Sequence, residues 1–436
     1  MIQIISIKKL FGRFDYTIDL HSEGITILTG PNGFGKSTIL NIISALTNGD
    51  LLFFMTLNYE EISINDKVKI AKTDSHLSFS NEIKNIKIEL KDIINVFENY
   101  IESMPYRKIS DKQYMDFIRD TIIDKKDVFN RFIEASRERS KESEERLSED
   151  NASSLNDIIL SLNSLKDIVG DTYFISEQRL IQHSITENEW RFSRYSDSEI
   201  IYTINTLPTK FKKLRNEKAN EYLVISNSRD STYPERLFSE KKGITELDFS
   251  TKMEAMKKKF KQLNEFHIFD LPEIGEVNFE KTHEIALKVY LEDFDEKYKV
   301  YEEFISKLKL YTDIINSKLH FKELKFSSEK GLVVVEIDGD KKEIPLSDLS
   351  SGEKHEIILF YDLIFESKPN MLLLIDEPEI SLHVEWQRNF MKDMVEIAKT
   401  VTNLKIIVAT HSPQIISNYR NLQIDLGELY RTQING

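Results

Sequence analysis

The residues best equipped for chemistry begin at Gly30-Pro31-Asn32-Gly33-Phe34-Gly35-Lys36-Ser37-Thr38. An apolar run, Ile25 to Leu28, precedes them and reads as a buried strand, and a helical pattern follows from Lys36 to about Leu46. The stretch is a complete G-x-x-x-x-G-K-[ST] pattern in the strand–loop–helix setting that the pattern requires. Its glycines let backbone N–H groups converge on phosphate oxygens, with Asn32, Gly33, Gly35 and Thr38 in the cradle. The helix N-terminus adds partial positive charge. Lys36 supplies a point charge to the β- and γ-phosphates, and the Ser37 hydroxyl is placed to ligate Mg²⁺. This is a nucleotide-binding loop.

Further segments bring polar groups to the ends of apolar ones. Met371 to Ile375 is a run of five apolar residues that ends in Asp376-Glu377-Pro378. Two carboxylates at the C-terminal tip of a buried parallel strand lie where α/β ligand sites form. Asp376 would hold Mg²⁺ through water, and Glu377 would polarise the hydrolytic water. Leu404 to Ala409 is a similar strand, ending in Thr410-His411-Ser412, and His411 can donate to a γ-phosphate. Tyr173 to Ile175 delivers Gln178, whose amide can ligate Mg²⁺ and hold the attacking water without carrying charge. Finally, Ser350-Ser351-Gly352-Glu353 follows Leu349 and precedes an apolar-periodic helix, Ile357 to Phe365. Small hydroxyl residues at a helix start make a second anion site. The chain's own phosphate loop already serves a nucleotide, so this second site makes sense facing another subunit's γ-phosphate. Read alone, it is an ordinary serine-capped helix start.

Several elements must position these groups. Ile2 to Ile7 and Phe14 to Leu20 read as strands paired across Phe11-Gly12-Arg13. Leu51 to Leu57, Val68 to Ala71, Leu77 to Ser80 and Lys84 to Leu90 read as further strands of a small antiparallel sheet. From Ile93 to about Val169 the pattern is helical, with the almost wholly charged Arg137 to Asp150 as an exposed helix end or disordered loop. Glu199 to Val224, Ser250 to Phe266 and His283 to Leu319 read as long charged helices, separated by turn signals at Asn227 to Pro234 and Leu271 to Gly275. No strict heptad persists, so a long coiled coil is not expected. Lys325 to Ser328 and Leu332 to Asp338 are strands joined onward by Gly339-Asp340. The expected organisation is an α/β nucleotide-binding head, a mixed sheet plus an antiparallel β subdomain, with an inserted helical lobe or short coiled-coil hairpin. Residues 1–92 form its N-terminal lobe, 93–170 a helical segment, 171–182 the Gln178 strand, 183–319 the inserted lobe, and 320–436 the C-terminal lobe.

Composition narrows the classes. The 436 residues are 40% hydrophobic, enough for two or three cored domains. The absence of cysteine excludes a disulfide framework, a cysteine zinc site and a thiol nucleophile, and fits a reducing cytosol. The N-terminal apolar run is too short for a signal peptide, and no segment reaches the roughly 18 apolar residues of a membrane span. A cytoplasmic protein without a membrane partner is therefore expected. A formal net charge of −14 argues against a general nucleic-acid coat. Local basic runs remain, at Lys210, Lys212, Lys213, Arg215 and Lys218, and at Lys252, Lys257, Lys258, Lys259 and Lys261.

In this order, the phosphate loop, the Gln178 strand, S-S-G-E, L-L-L-I-D-E-P and A-T-H-S resemble the ATP-binding-cassette ATPases of the Rad50/SMC/RecF branch, and within it the OLD-type ATPases. The resemblance covers residues 1–60, 171–182 and 345–428. It implies a head-to-tail dimer with two ATPs, each held between one subunit's phosphate loop and the other's signature. Lys36, Ser37, Gln178, Asp376, Glu377 and His411 would form one half-site, and Ser350 to Glu353 would complete the partner's. Arg13 resembles a basic residue near the nucleotide in this branch. The signature reads L-S-S-G-E where L-S-G-G-Q is more usual. OLD nucleases continue into a Toprim domain, for which the 25 residues after His411 leave no room. The chain therefore also resembles the ATPase subunits of phage-defence systems such as PARIS and Septu, whose effector is a separate chain.

These resemblances imply a homo-oligomeric, Mg²⁺-dependent ATPase that senses a DNA or phage-protein trigger and controls a separate nuclease of Toprim or HNH type. A DNA-repair or chromosome-maintenance ATPase acting through the lysine-rich helices is the alternative. A transporter's nucleotide-binding subunit and a small-molecule kinase fit less well, the first because of the large insertion, the second because of the signature and terminal histidine.

Overall fold

The structure is a computed structural model that describes residues 2–81, 85–104, 106–110, 112–116, 121–129, 131–132, 170–176, 181–183, 200–269, 275–338, 342–380 and 382–435. The expected features at Arg137 to Asp150, Gln178 and Gly339-Asp340, and most of the Leu271 to Gly275 turn, lie outside these residues. The chain divides into two units: residues 1–177, 367–380 and 387–436, and residues 178–366 with 381–386.

The first unit is built on a five-stranded, all-parallel sheet in the order Thr172–Ile175, Leu372–Asp376, Lys405–Ala409, Ile25–Thr29, Gln423–Asp425. Every residue of Ile25–Thr29 and Leu372–Asp376 is buried. Near-continuous Ile and Leu runs are what a parallel sheet covered on both faces needs. The register pairs Asp376 with Ala409 and Ala409 with Leu28. The loops after these three strands therefore leave one edge of the sheet side by side.

A six-stranded antiparallel sheet runs Phe14–Asp19, Ile4–Leu10, Glu61–Ile64, Val68–Lys72, His76–Asn81, Asn85–Glu89. Its alternate residues, including Ile5, Ile7, Ile62, Ile64 and Ile70, share one core with Ile39, Ile42, Ile43 and Leu46 of the helix Lys36–Asn48. That helix ends at Gly49, whose left-handed backbone (φ 65°) lets its N–H reach Ala45 O.

Two sequence expectations in this unit are corrected. Leu51 to Leu57 is a helix, Leu51–Thr56, rather than a strand. Asp50 caps it by accepting from Phe53 N at 3.1 Å, which settles a short apolar run that periodicity cannot assign. The helical pattern expected from Ile93 is interrupted after Leu90–Ser103 and resumes at residues 125–129 and 131–132, while 133–169 lie outside the described residues. Met104 precedes a proline and is held extended, as a pre-proline residue prefers. A three-stranded sheet follows: Tyr106–Lys108, Gln113–Asp116 and Thr121–Asp124.

In the second unit the helices Thr203–Ser239 and Glu284–Asn316 pack together, with Glu246–Glu265 against the latter. The turn expected at Asn227 to Pro234 is absent, because the first helix runs through it with Pro234 inside. Proline removes a backbone donor there. Side chains around it bond the carbonyls one turn earlier: Thr232 Oγ1 donates to Ser228 O at 2.9 Å, and Arg236 Nη2 donates to Arg229 O at 2.7 Å. Arg236 also forks onto Asp293 of the second helix. A three-stranded antiparallel sheet, Lys322–Ser327, Gly331–Glu336 and Glu343–Ile344, precedes the helix Ser351–Phe365. Among the described residues no helix is long and apolar enough to cross a membrane.

Candidate nucleotide site

The phosphate loop follows the central strand Ile25–Thr29 and enters the helix Lys36–Asn48 with Gly30, Gly33 and Gly35 all at positive φ. At Gly35 (φ 90°) an added Cβ would lie 2.9 Å from Leu10 Cδ2 and 3.5 Å from Phe11 Cε2. The left-handed conformation therefore favours glycine there, and a side chain would also have to displace the end of Leu10. Leu10 and Phe11 lead into the hairpin turn that carries exposed Arg13, whose N–H donates to Leu10 O at 3.1 Å. An added Cβ at Gly33 would meet nothing within 4 Å, so the loop's backbone faces open space there. Tyr16 donates its hydroxyl to Phe34 O at 2.9 Å, and Phe34 packs on Phe14 and Tyr430. Asn32 is exposed and Thr38 is half-buried at the helix start.

The lysine and serine point at different partners. Lys36 is 5% exposed, and its Nζ donates to Gly30 O at 2.9 Å, curling over the loop's own backbone. Ser37 Oγ donates to Asp376 Oδ1 at 3.0 Å. This bond joins the phosphate loop to the tip of the neighbouring carboxylate strand across 339 residues of sequence. A hydroxyl and a carboxylate oxygen side by side form the hard-oxygen donor set that suits Mg²⁺.

At Glu377 the chain turns sharply, with φ at 44°. A non-glycine residue held there costs about 1–3 kcal/mol and requires surrounding contacts that enforce it. One is its own N–H, which donates to Ala409 O at 2.9 Å. The side chain lies against His411, Nδ1 being 2.5 Å from Glu377 Oε2. Burial first, and the charge of Glu379 second, push the Glu377 carboxyl above its ordinary value, while His411 pulls the other way. Glu379 itself is buried, and its Oε1 accepts from Thr410 Oγ1, His411 N and Ser412 N at 2.5, 2.9 and 3.0 Å.

Ser350, Ser351, Gly352 and Glu353 lie in the second unit. The Ser350 side chain accepts from Glu353 N at 3.3 Å, and Glu353 Oε2 accepts from Ser350 N at 2.9 Å, a reciprocal capping box. Lys322 Nζ grips both Glu353 oxygens at 2.9 and 3.1 Å. Burial alone would push the Glu353 carboxyl up, but Lys322 and Ser350 outweigh it and hold it below its ordinary value. Ser350 and Ser351 are exposed.

The model of the AAA ATPase domain family AAA_15 matches residues 1–416. The chain belongs to this family. As an AAA_15 ATPase it shares 31% identity over 99 residues with the petrobactin import ATP-binding protein YclP of Bacillus subtilis (strain 168), 22% of this chain and 38% of that protein. The match therefore spans less than half of the relative. Among solved structures, the Smc head domain with an extended coiled coil bound to the C-terminal domain of ScpA, from Pyrococcus furiosus, aligns over 96% of this chain and 91% of its own. Its TM-score is 0.33 at 12% identity. The Smc head bound to the C-winged helix domain of ScpA aligns with the same coverage at a TM-score of 0.38, also at 12% identity.

In this AAA_15 ATPase, Lys36, Ser37, Asp376, Glu377 and His411 gather at one edge of the parallel sheet, while Gln178 lies outside the described residues. Sequence reasoning passed over Glu379 and Gln387. Gln387 donates from Nε2 to Glu379 O at 3.4 Å and accepts from Ser412 Oγ at 2.7 Å. A second glutamate two positions after Glu377 was the available signal, but its partners lie 31 to 33 residues away.

Proposed function

We propose that this ATPase hydrolyses ATP at sites completed between two copies of the chain, and that the closed assembly controls a separate effector protein, in a defence setting. The observation that carries the catalytic part is the pairing of the Ser37–Asp376 bond with the Glu377–His411 contact at the same sheet edge. Lys36 and the loop N–H groups bind the phosphates. Ser37 and Asp376 would hold Mg²⁺, joined by Gln178; when bound, this ion neutralises charge building on the transferring phosphoryl group. Glu377 Oε2 takes the proton of the attacking water, and His411 holds that carboxylate in place. The exposed, capped start of Ser351–Phe365 supports the second part, as an anion-binding helix end for the γ-phosphate held by a second copy.

The raised Glu377 carboxyl fixes a sign for the pH dependence. Below its own pKa Glu377 is protonated and cannot accept a proton, so turnover falls as pH drops through that value. The acid limb of kcat/KM, which reports the free enzyme, is expected above the ordinary glutamate value of 4.5. His411→Ala removes a group that favours the ionised form and should move the limb higher still. Profiles of kcat/KM against pH for both proteins check this, and a limb that stays at or below 4.5 in each would contradict it.

The controlling role is tested by affinity purification of tagged Glu377→Gln protein from its native host in ATP. A stoichiometric nuclease in the eluate supports effector control. Recovery of DNA with repair factors instead favours the second reading, a genome-maintenance ATPase. Exposed Lys252, Lys257, Lys258 and Lys261 on Glu246–Glu265 speak for that reading. Lys259 of the same run pairs with Asp295, and in the other run Arg215 donates to Ser328 O and Lys218 pairs with Glu221.

A further inference from the structure

We infer that Glu379 is a positioning residue for hydrolysis, holding residues 410–412 so that the His411 ring stays against Glu377. The inference rests on the assignment of Glu377 and His411 to hydrolysis proposed above.

Glu379 is 8% exposed, and a buried carboxylate is costly unless donors surround it. Three donors converge on its Oε1, and they come from three consecutive residues, Thr410, His411 and Ser412. Among the bonds described, Glu379 alone takes the His411 N–H, so deleting it leaves that backbone donor without an acceptor and leaves Ser412 N with Thr410 Oγ1 only. The loop has a second tie of the same origin. Ser412 N also donates to Thr410 Oγ1 at 3.0 Å, and Ser412 Oγ reaches Gln387, which in turn donates to Glu379 O.

The geometry of the ring follows from this fastening. His411 is the residue between the two outer anchor points, and its ring is more than half exposed, at 57%. Packing therefore does little to orient it. Its Nδ1 lies 2.5 Å from Glu377 Oε2 and 3.3 Å from Glu379 Oε1, so the two carboxylates bracket one ring nitrogen. Glu377 N already rests on Ala409 O. The carboxylate strand and the histidine strand are thus cross-linked at their tips in both directions, by the Glu377 main chain one way and the Glu379 side chain the other. Displacements of about 1 Å at a reacting group can cost on the order of 100-fold in rate. A residue that fixes the loop carrying His411 can act on that scale without touching substrate. Among the described residues Glu379 Oε2 is buried without a hydrogen-bond partner, and the bonds to residues 410–412 all pass through Oε1.

The test compares Glu379→Ala, Glu379→Asp and Glu379→Gln in wild-type and His411→Ala backgrounds. Steady-state turnover and equilibrium binding of a fluorescent ATP analogue are read for each. Glutamine keeps an acceptor oxygen at the same reach and should retain kcat within about 3-fold. Aspartate falls one methylene short, alanine lacks the acceptor, and each should lose on the order of 10-fold or more in kcat with ATP affinity unchanged. In the His411→Ala background the same losses should shrink to within about 2-fold, because the residue they act through is gone. If Glu379→Ala does not fold, the aspartate and glutamine pair decides alone. Equal losses in the two backgrounds, a glutamine variant as slow as the aspartate one, or a fall in ATP affinity matching the fall in kcat would each overturn the inference. Failure of the underlying assignment looks different: His411→Ala and Glu377→Gln would then both turn over at near wild-type rates.

Discussion

Glu377→Gln is expected to bind ATP as wild type does and to hydrolyse it at least ~100-fold more slowly, the scale of a lost general base or water-positioning group. That factor corresponds to about 2.7 kcal/mol of transition-state stabilisation. Glutamine matches glutamate in size and tolerates the same backbone, so the N–H bond to Ala409 O survives. The amide still offers one oxygen towards His411, but it has no basicity with which to take a proton from water. Nothing in the substrate-binding set changes: Lys36 remains over Gly30 O, and Ser37 remains on Asp376. Binding and turnover should therefore separate cleanly. Equilibrium binding of a fluorescent ATP analogue and single-turnover hydrolysis measure the two independently. Near wild-type hydrolysis would remove Glu377 from the role given to it here.

That separation depends on residues placed together by the fold, and only part of the fold was legible in advance. The parallel strands were, because Ile25–Thr29, Leu372–Asp376 and Lys405–Ala409 are buried on both faces and have to be apolar along their length. Their tips then hold the polar residues, so the carboxylates and the histidine could be named from position alone. The edge strand Gln423–Asp425 was not visible, being three partly buried residues recruited by pairing with Ile25–Thr29. Leu51–Thr56 was misread because Leu-Leu-Phe-Phe-Met suits either period, and the deciding feature was the cap at Asp50. Asn227 to Pro234 was misread because a proline and small polar residues usually end a helix. Here Thr232 and Arg236 side chains add bonds to Ser228 O and Arg229 O, and Arg236 is anchored on Asp293, 57 residues away. Glu379 belongs to the same class. Its type was plain in the sequence, but its meaning lies in bonds to a strand end that only the tertiary structure brings near.

The same reasoning makes Ser351 the sharpest probe of the site between copies. Ser351→Arg should abolish ATP-dependent association while leaving ATP binding to the phosphate loop intact. Ser351 is exposed at the first position of Ser351–Phe365, so the substitution disturbs no core contact. An added cation near a helix N-terminus costs only about 0.3–1 kcal/mol. The cap itself does not use the Ser351 side chain: Ser350 and Glu353 bond each other, and Lys322 holds Glu353 from the side. A long guanidinium side chain would instead occupy the space in front of the helix end, where the γ-phosphate held by a second copy has to arrive. Ser351→Ala, which adds no bulk, is the matched control and should still associate. Light-scattering masses with and without ATP, measured in the Glu377→Gln background so that hydrolysis does not dissolve the complex, give the answer. An ATP-dependent mass increase that persists in Ser351→Arg would mean that this helix end does not face a second copy's nucleotide. Loss of ATP binding in the same protein would place Ser351 in its own chain's site.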